Sequence, residues 1–153
     1  KEKAYFADED YLLNVLNLCM GTAGKKRRKD FVTAKQAMSE IRYFFGEYEQ
    51  KDDYRVDDAT RNAILDSFLQ TYSAADDAQT WFSKVKQVAA SLGFAAEMRD
   101  YKANPEAYKG SVSDVAEVLR IAVTGRANSP DLWTIMQILG EPRAKERIIS
   151  ARA

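Results

Sequence analysis

Leu119-Arg120-Ile121-Ala122-Val123-Thr124-Gly125-Arg126-Ala127-Asn128-Ser129-Pro130-Asp131-Leu132-Trp133, running on through Ile135-Met136-Gln137-Ile138-Leu139-Gly140, reads as a helix, a glycine stop, a short polar turn and a second helix. Gly125 follows an apolar helical run, at the position where a helix end asks for positive φ. Ser129 precedes Pro130 as an N-cap precedes a proline at the first helical position, and Gly140 closes the second helix. A helix start leaves backbone N–H groups without intrahelical partners, and Arg120 and Arg126 flank this one with fixed positive charge. A phosphate or a nucleotide suits such a place.

The same alternation of apolar stripe and stop extends outward. Upstream, Ser111 or Ser113 caps a helix that carries Val112, Val115, Ala116, Leu119, Ala122 and Val123. Asp76 or Asp77 starts another, with Trp81, Val85, Val88, Ala89 and Leu92 ahead of Gly93, after which Phe94 folds back on the last turn. Asp57 and Asp58 cap a helix with Ile64, Leu65, Phe68, Leu69 and Tyr72. Two further helices are expected nearer the start, one carrying Leu12, Val15, Leu16 and Cys19, the other running from Asp30 to Tyr48. Downstream, a last helix begins at Pro142, with Ile148 and Ile149 apolar and Arg143, Lys145 and Arg147 facing water. The stretch 47–58 reads as a connection anchored by Tyr54 and Val56, and 94–110 as the longest irregular segment. No stretch alternates with period two, so the expected class is all-α, in two small helical bundles spanning 1–75 and 76–153.

Composition narrows the chemistry. The chain has 153 residues, 46% apolar and 30% charged, the profile of a soluble globular protein. Net charge is zero, but residues 120–153 hold six Lys or Arg against three Asp or Glu, and Lys25-Lys26-Arg27-Arg28-Lys29 is an unbroken basic run. There is no histidine and one cysteine, Cys19. Ser-His-Asp and Cys-His nucleophile systems, an internal disulfide and a zinc site are thereby excluded or disfavoured. No apolar run approaches the ~20 residues that cross a bilayer. The chain opens on Lys1 rather than methionine, which reads as a cut from something longer.

Each candidate has a plain reading beside the functional one. Lys25, Lys26 and Arg27, with Arg126, are phosphate contacts or simply a solvated charged surface. Gly21-Thr22-Ala23-Gly24-Lys25-Lys26 is not a P-loop, because the glycines are too close, Lys26 stands where Ser or Thr belongs, and a helix rather than a strand precedes it. Trp133, next to Leu132 and three residues from Met136, belongs to the core, as do Trp81 and Phe44-Phe45. Leu132, close to a helix start, could pack beneath a base. Arg120 either snorkels from an apolar helix to water or offers a planar guanidinium to an unpaired base.

The closing pattern, Leu119-Arg120-Ile121-Ala122-Val123-Thr124-Gly125 with Ser129-Pro130 and Ile138-Leu139-Gly140, resembles the C-terminal anticodon-binding region of bacterial glutamyl-tRNA synthetases. Asn104-Pro105-Glu106-Ala107-Tyr108-Lys109-Gly110 and Val112-Ser113-Asp114-Val115 are similar to that family too, in its form with a longer loop before this helix. The resemblance runs over the whole chain, and its motifs are loosest before residue 75. It implies an all-helical body of two subdomains gripping the anticodon arm of glutamate tRNA, or also glutamine tRNA, in a monomeric cytoplasmic ligase. The ATP-dependent chemistry would lie in a catalytic domain with a His-x-Gly-His motif and a Lys-Met-Ser-Lys-like loop. Neither motif is here, so the implied chain binds RNA, holds no cofactor and catalyses nothing by itself. By position, the family's anticodon contacts fall on Arg120, Ser129, Pro130 and Leu132. Its arginine for the third anticodon base falls within Arg27-Arg28, with Arg28 preferred because Lys29-Asp30-Phe31 follows. A reading from another class is a helical protein-interaction module whose basic segments bind an acidic partner; RNA binding should fall steeply with salt and prefer folded tRNA with a matching anticodon loop, whereas a protein partner would show no such preference.

Overall fold

Three of the helices begin with the same local device. Asp57, Asp77 and Asp131 each stand three residues ahead of a threonine, and each carboxylate accepts the backbone N–H of its threonine, Thr60 and Thr80 at 2.7 Å and Thr134 at 3.0 Å. An N-cap bond of this kind satisfies one of the donors that a helix start leaves over. The cap bonds from Thr60 and Thr80 hold the Asp57 and Asp77 carboxyls below the ordinary value of 3.8. A fourth start, at Ser111, is a capping box: the Ser111 hydroxyl accepts from the Ser113 N–H, and Asp114 reaches back to the Ser111 N–H at 2.7 Å. Gly110 is required just before it, because a Cβ there would collide with the Asp114 carboxylate and press on the Phe94 ring at 3.1 Å.

The computed structural model describes residue 50 and residues 52–153. The helices expected around Leu12–Cys19 and from Asp30 to Tyr48, and the basic run with Lys25, Lys26, Arg27 and Arg28, lie outside the described residues. Within them the order is α1 (Asp58–Thr71), α2 (Ala78–Ser91), α3 (Met98–Ala103), a 3-10 turn (Pro105–Ala107), α4 (Val112–Thr124), α5 (Leu132–Leu139) and α6 (Glu141–Ser150). The described residues form no strand, only one isolated parallel bridge between Ala95 and Ser111. The all-α class therefore holds. No helix among them is long and apolar enough to cross a membrane.

α4 is the axis of the core. Eight of its 13 residues are buried, Val112, Val115, Val118, Leu119, Ile121, Ala122, Val123 and Thr124, and it packs against α1, α2 and α6. α5 leans on α2 and α6. Phe68 stacks on Tyr72 at 5.3 Å and meets Trp81 edge-on at 6.2 Å, so aromatic packing joins the end of α1 to the start of α2. Tyr72 is buried beside the Glu141 and Asp76 carboxylates, and burial above all pushes its phenol up to about 12.

Of the bundle expected over 1–75 the described residues hold only α1 and the stretch before it, and α1 packs with the helices that follow. Ile64, Leu65, Phe68 and Tyr72 share one core with Val85, Leu119, Ile135 and Ile148. The α1–α2 connection is itself clamped by later elements: the Trp133 indole N–H donates to the Asp76 carbonyl at 3.0 Å, and the Gln137 amide donates to Ala74 at 2.9 Å. Lys84 closes it from α2, donating to the Thr71 carbonyl at 2.6 Å and pairing with Asp76 at 2.5 Å.

The segment 94–110 is less irregular than its composition suggests. Gly93 takes φ 87°, and the Phe94 N–H returns to the Ala89 carbonyl at 2.9 Å, so Phe94 does fold back and is buried. The segment then makes α3 and the 3-10 turn, and returns beside its own start: Ala95 N–H donates to Gly110 and Val112 N–H to Ala95. These backbone pairings form only once both ends of the segment meet, and nothing in the local residue pattern marks them.

Candidate nucleic-acid interface

α4 ends where the sequence places its stop. Gly125 has φ 77°, and its N–H donates to the Ile121 carbonyl at 2.7 Å. The preceding Thr124 side chain is buried and knots the exit. Its hydroxyl donates to the Arg120 carbonyl at 2.8 Å, lies 3.2 Å from the Arg126 carbonyl and accepts the Arg126 N–H at 3.1 Å. The loop that leaves this knot, 125–131, carries an exposed Asn128 and half-buried Arg126, Ser129 and Pro130.

Arg120 turns onto that loop. One guanidinium nitrogen, Nη1, points at three oxygens: the Ser129 carbonyl at 3.1 Å, the Ser129 hydroxyl at 3.0 Å and the Pro130 carbonyl at 3.4 Å. The Ser129 hydroxyl in turn donates to the Pro130 carbonyl at 2.8 Å. Three of the residues carried over from the resemblance, Arg120, Ser129 and Pro130, are thus brought into direct contact. Arg120 is neither a plain snorkelling side chain nor a detached reader; it brackets the loop. The guanidinium is always charged, which strengthens the hydrogen bonds that this one nitrogen gives to the loop oxygens.

Two expectations at the second helix are corrected. Ser129 is not its N-cap and Pro130 is not its first residue: α5 starts at Leu132, and Asp131 caps it, accepting both the N–H and the hydroxyl of Thr134 at 3.0 and 2.7 Å. Asp131 wins because its longer acceptor arm meets a threonine at the right spacing, while the Ser129 hydroxyl is held by Arg120 and Pro130. Leu132 does not face outward. It is 2% exposed and belongs to the core with Ile135 and Met136, so its side chain is not presented to a base in this geometry. Trp133 packs against that core, as expected, and is half-buried, with its indole N–H on Asp76.

Two residues enter the site that sequence reasoning passed over. Arg147, expected to face water from the last helix, is half-buried and donates through Nη1 to the Val123 carbonyl at 2.9 Å, at the C-terminal end of α4. A cation there is favoured by the negative end of the helix dipole. The excess of basic residues after 120 signalled this region, but not which arginine folds onto α4. Asp52, in the stretch read as a connection, pairs with the loop from the other side: its N–H donates to the Gly125 carbonyl at 3.1 Å, and its carboxylate accepts the Ala127 N–H at 2.8 Å. Tyr54 and Val56, the expected anchors of that connection, do pack on the core. Arg143, also expected in water, is half-buried.

The result is a loop stiffened from three directions, by Arg120 of α4, by the Thr124 knot and by Asp52, with Arg120, Arg126 and Arg147 gathered around the end of α4. Such a surface offers planar donors, backbone groups and a positive field to an unpaired base or a phosphate. No group of three or more His, Cys, Asp or Glu side chains among the described residues could hold a metal ion.

Comparison with known proteins gives the family. A family model described as an anticodon binding domain matches residues 5–152. The chain is 46% identical over 134 residues to a glutamate–tRNA ligase of Acetivibrio thermocellus, 44% over 134 residues to one of Clostridium perfringens, and 39% over 146 residues to one of Sorangium cellulosum. These alignments take in 86%, 82% and 92% of this chain but only 24%, 24% and 25% of the respective relatives. All-helical described residues, with the family match running nearly end to end, lead to one conclusion: the chain belongs to the anticodon binding domain family.

Proposed function

We propose that this chain reads the anticodon loop of glutamate tRNA on behalf of a glutamate–tRNA ligase, a monomeric cytoplasmic enzyme whose ATP-dependent aminoacylation takes place in a catalytic domain outside this sequence. The observation that carries the reading is the bracket of Arg120 on Ser129 and Pro130 at a loop that carries Arg126 and starts from the helix end held by Arg147. It sits in the stretch whose residues resemble the anticodon-binding family, and it is the kind of stiff, cationic, half-open surface that unpaired RNA bases dock on. Glutamine tRNA is a second substrate candidate on the same chemistry. In this reading the chain binds RNA, uses no cofactor and forms no adenylate.

The test is a titration of the chain against the anticodon stem-loop of glutamate tRNA and against one with exchanged loop bases, at several salt concentrations. A preference for the first that survives rising salt, over a salt-sensitive background common to both, supports the proposal. Equal affinity for the two at every salt concentration overturns it, and no binding to either stem-loop would favour the acidic protein partner instead.

A further inference from the structure

We infer that Asp52 is a positioning residue for anticodon-loop discrimination: it holds loop 125–131 in the conformation that presents Arg120 and Ser129. The inference deepens the proposed function and rests on it. Asp52 reaches across 75 residues of sequence to grip the loop at two points, receiving the Ala127 N–H on its carboxylate at 2.8 Å and giving its own N–H to the Gly125 carbonyl at 3.1 Å. The grip begins at Gly125, where φ 77° redirects the chain, and ends two residues before Ser129. The loop has two clamps on its inner side, the Thr124 knot and the Arg120 bracket. Asp52 supplies the third, on its exposed side.

The charge of Asp52 argues for position rather than contact. A carboxylate beside a surface meant for RNA repels phosphate, so its presence there lowers general RNA affinity. Its compensation is the geometry it imposes on the backbone at Gly125 and Ala127, whose carbonyl and N–H it engages. Asp52 also lies in the connection that leads into α1, whose Tyr54 and Val56 are seated on the core. The loop is therefore referenced to a fixed part of the fold.

Two variants of the full chain separate charge from position. Asp52→Asn removes the charge and keeps an acceptor for the Ala127 N–H; Asp52→Ala removes both. Both should bind the base-exchanged stem-loop somewhat more tightly than wild type, and equally so, since both lose the same charge. Only Asp52→Ala should lose preference for the glutamate anticodon stem-loop, by about 3- to 10-fold, the range expected for one hydrogen bond to a charged acceptor at an exposed site. Amide hydrogen exchange at Ala127 should accelerate by a similar factor in Asp52→Ala and recover in Asp52→Asn, with little change at α4 amides. If a folded Asp52→Ala protein keeps its full preference, or if Ala127 exchange is unchanged, the positioning role is overturned. If wild type itself shows no preference, it is the anticodon reading that fails, and the exchange measurement alone then decides whether Asp52 positions the loop.

Discussion

Replacing Arg120 with alanine separates two roles that coincide in one side chain. In the structure its Nη1 serves three oxygens of Ser129 and Pro130 between 3.0 and 3.4 Å. Hydrogen bonds from a charged donor contribute about 1.5–3 kcal/mol, but these are half-buried and water can replace part of them, so a net loss of about 1–2 kcal/mol is expected. For a chain of this length that is a fall of about 2–8 °C in the unfolding midpoint. Ser129→Ala removes only the hydroxyl and should cost about 0.5–1 kcal/mol. Because the two groups touch, the double variant should lose less than the sum, with a coupling of about 0.5–1.5 kcal/mol. On RNA, Arg120→Ala should weaken the glutamate stem-loop by about 1–3 kcal/mol and flatten discrimination between loops. Arg120→Lys should retain the salt-dependent affinity, since the charge remains, and still lose discrimination, since an ammonium has no planar face or paired donors to offer an unpaired base. Thermal unfolding of the four proteins and parallel titrations on two stem-loops provide the measurements. A midpoint within about 1 °C of wild type and zero coupling would refute the bracket; an intact loop preference in folded Arg120→Ala would refute the base-reading role.

Leu132→Ala should destabilise the fold by about 2–5 kcal/mol through the cavity it opens in the core, and in whatever fraction stays folded it should leave loop preference unchanged; a selective loss of RNA binding at full stability would put Leu132 back at the interface. Lys25→Ala with Lys26→Ala should lower affinity for both stem-loops alike and reduce the slope of binding against salt, which titrations between low and moderate salt would register; a change in loop preference would argue against simple phosphate contact. The depressed carboxyls of Asp57 and Asp77 contribute stability above their ordinary value of 3.8, and that contribution disappears as pH falls through the lower folded values. Asp57→Asn with Asp77→Asn should therefore be less stable than wild type at pH 7 and approach it below 3.8, as followed by thermal unfolding across that window; parallel pH profiles for the two proteins would contradict the assignment.

How much of this was legible beforehand depends on the range of the interaction. Gly93, Gly125 and Gly140 stand at helix ends with φ of 87°, 77° and 85°, and the apolar stripes of α1, α2 and α4 turned inward as their spacing required. Caps, stops and periodic faces are set by neighbours within four residues, so the sequence alone determined the class, most of the helices and the loop after α4 as the place of interest. Where two short-range devices competed, at Ser129 and Asp131, the pattern admitted both. What only the tertiary structure decided is long-range: that Arg120 closes on Ser129 and Pro130, that Leu132 turns inside, that Arg147 caps α4, and that Asp52 grips a loop 75 residues away. Those partners are chosen when helices pack and leave particular carbonyls and N–H groups facing particular side chains. No periodicity in the chain encodes that meeting, because it depends on the relative placement of elements rather than on the composition of any one of them.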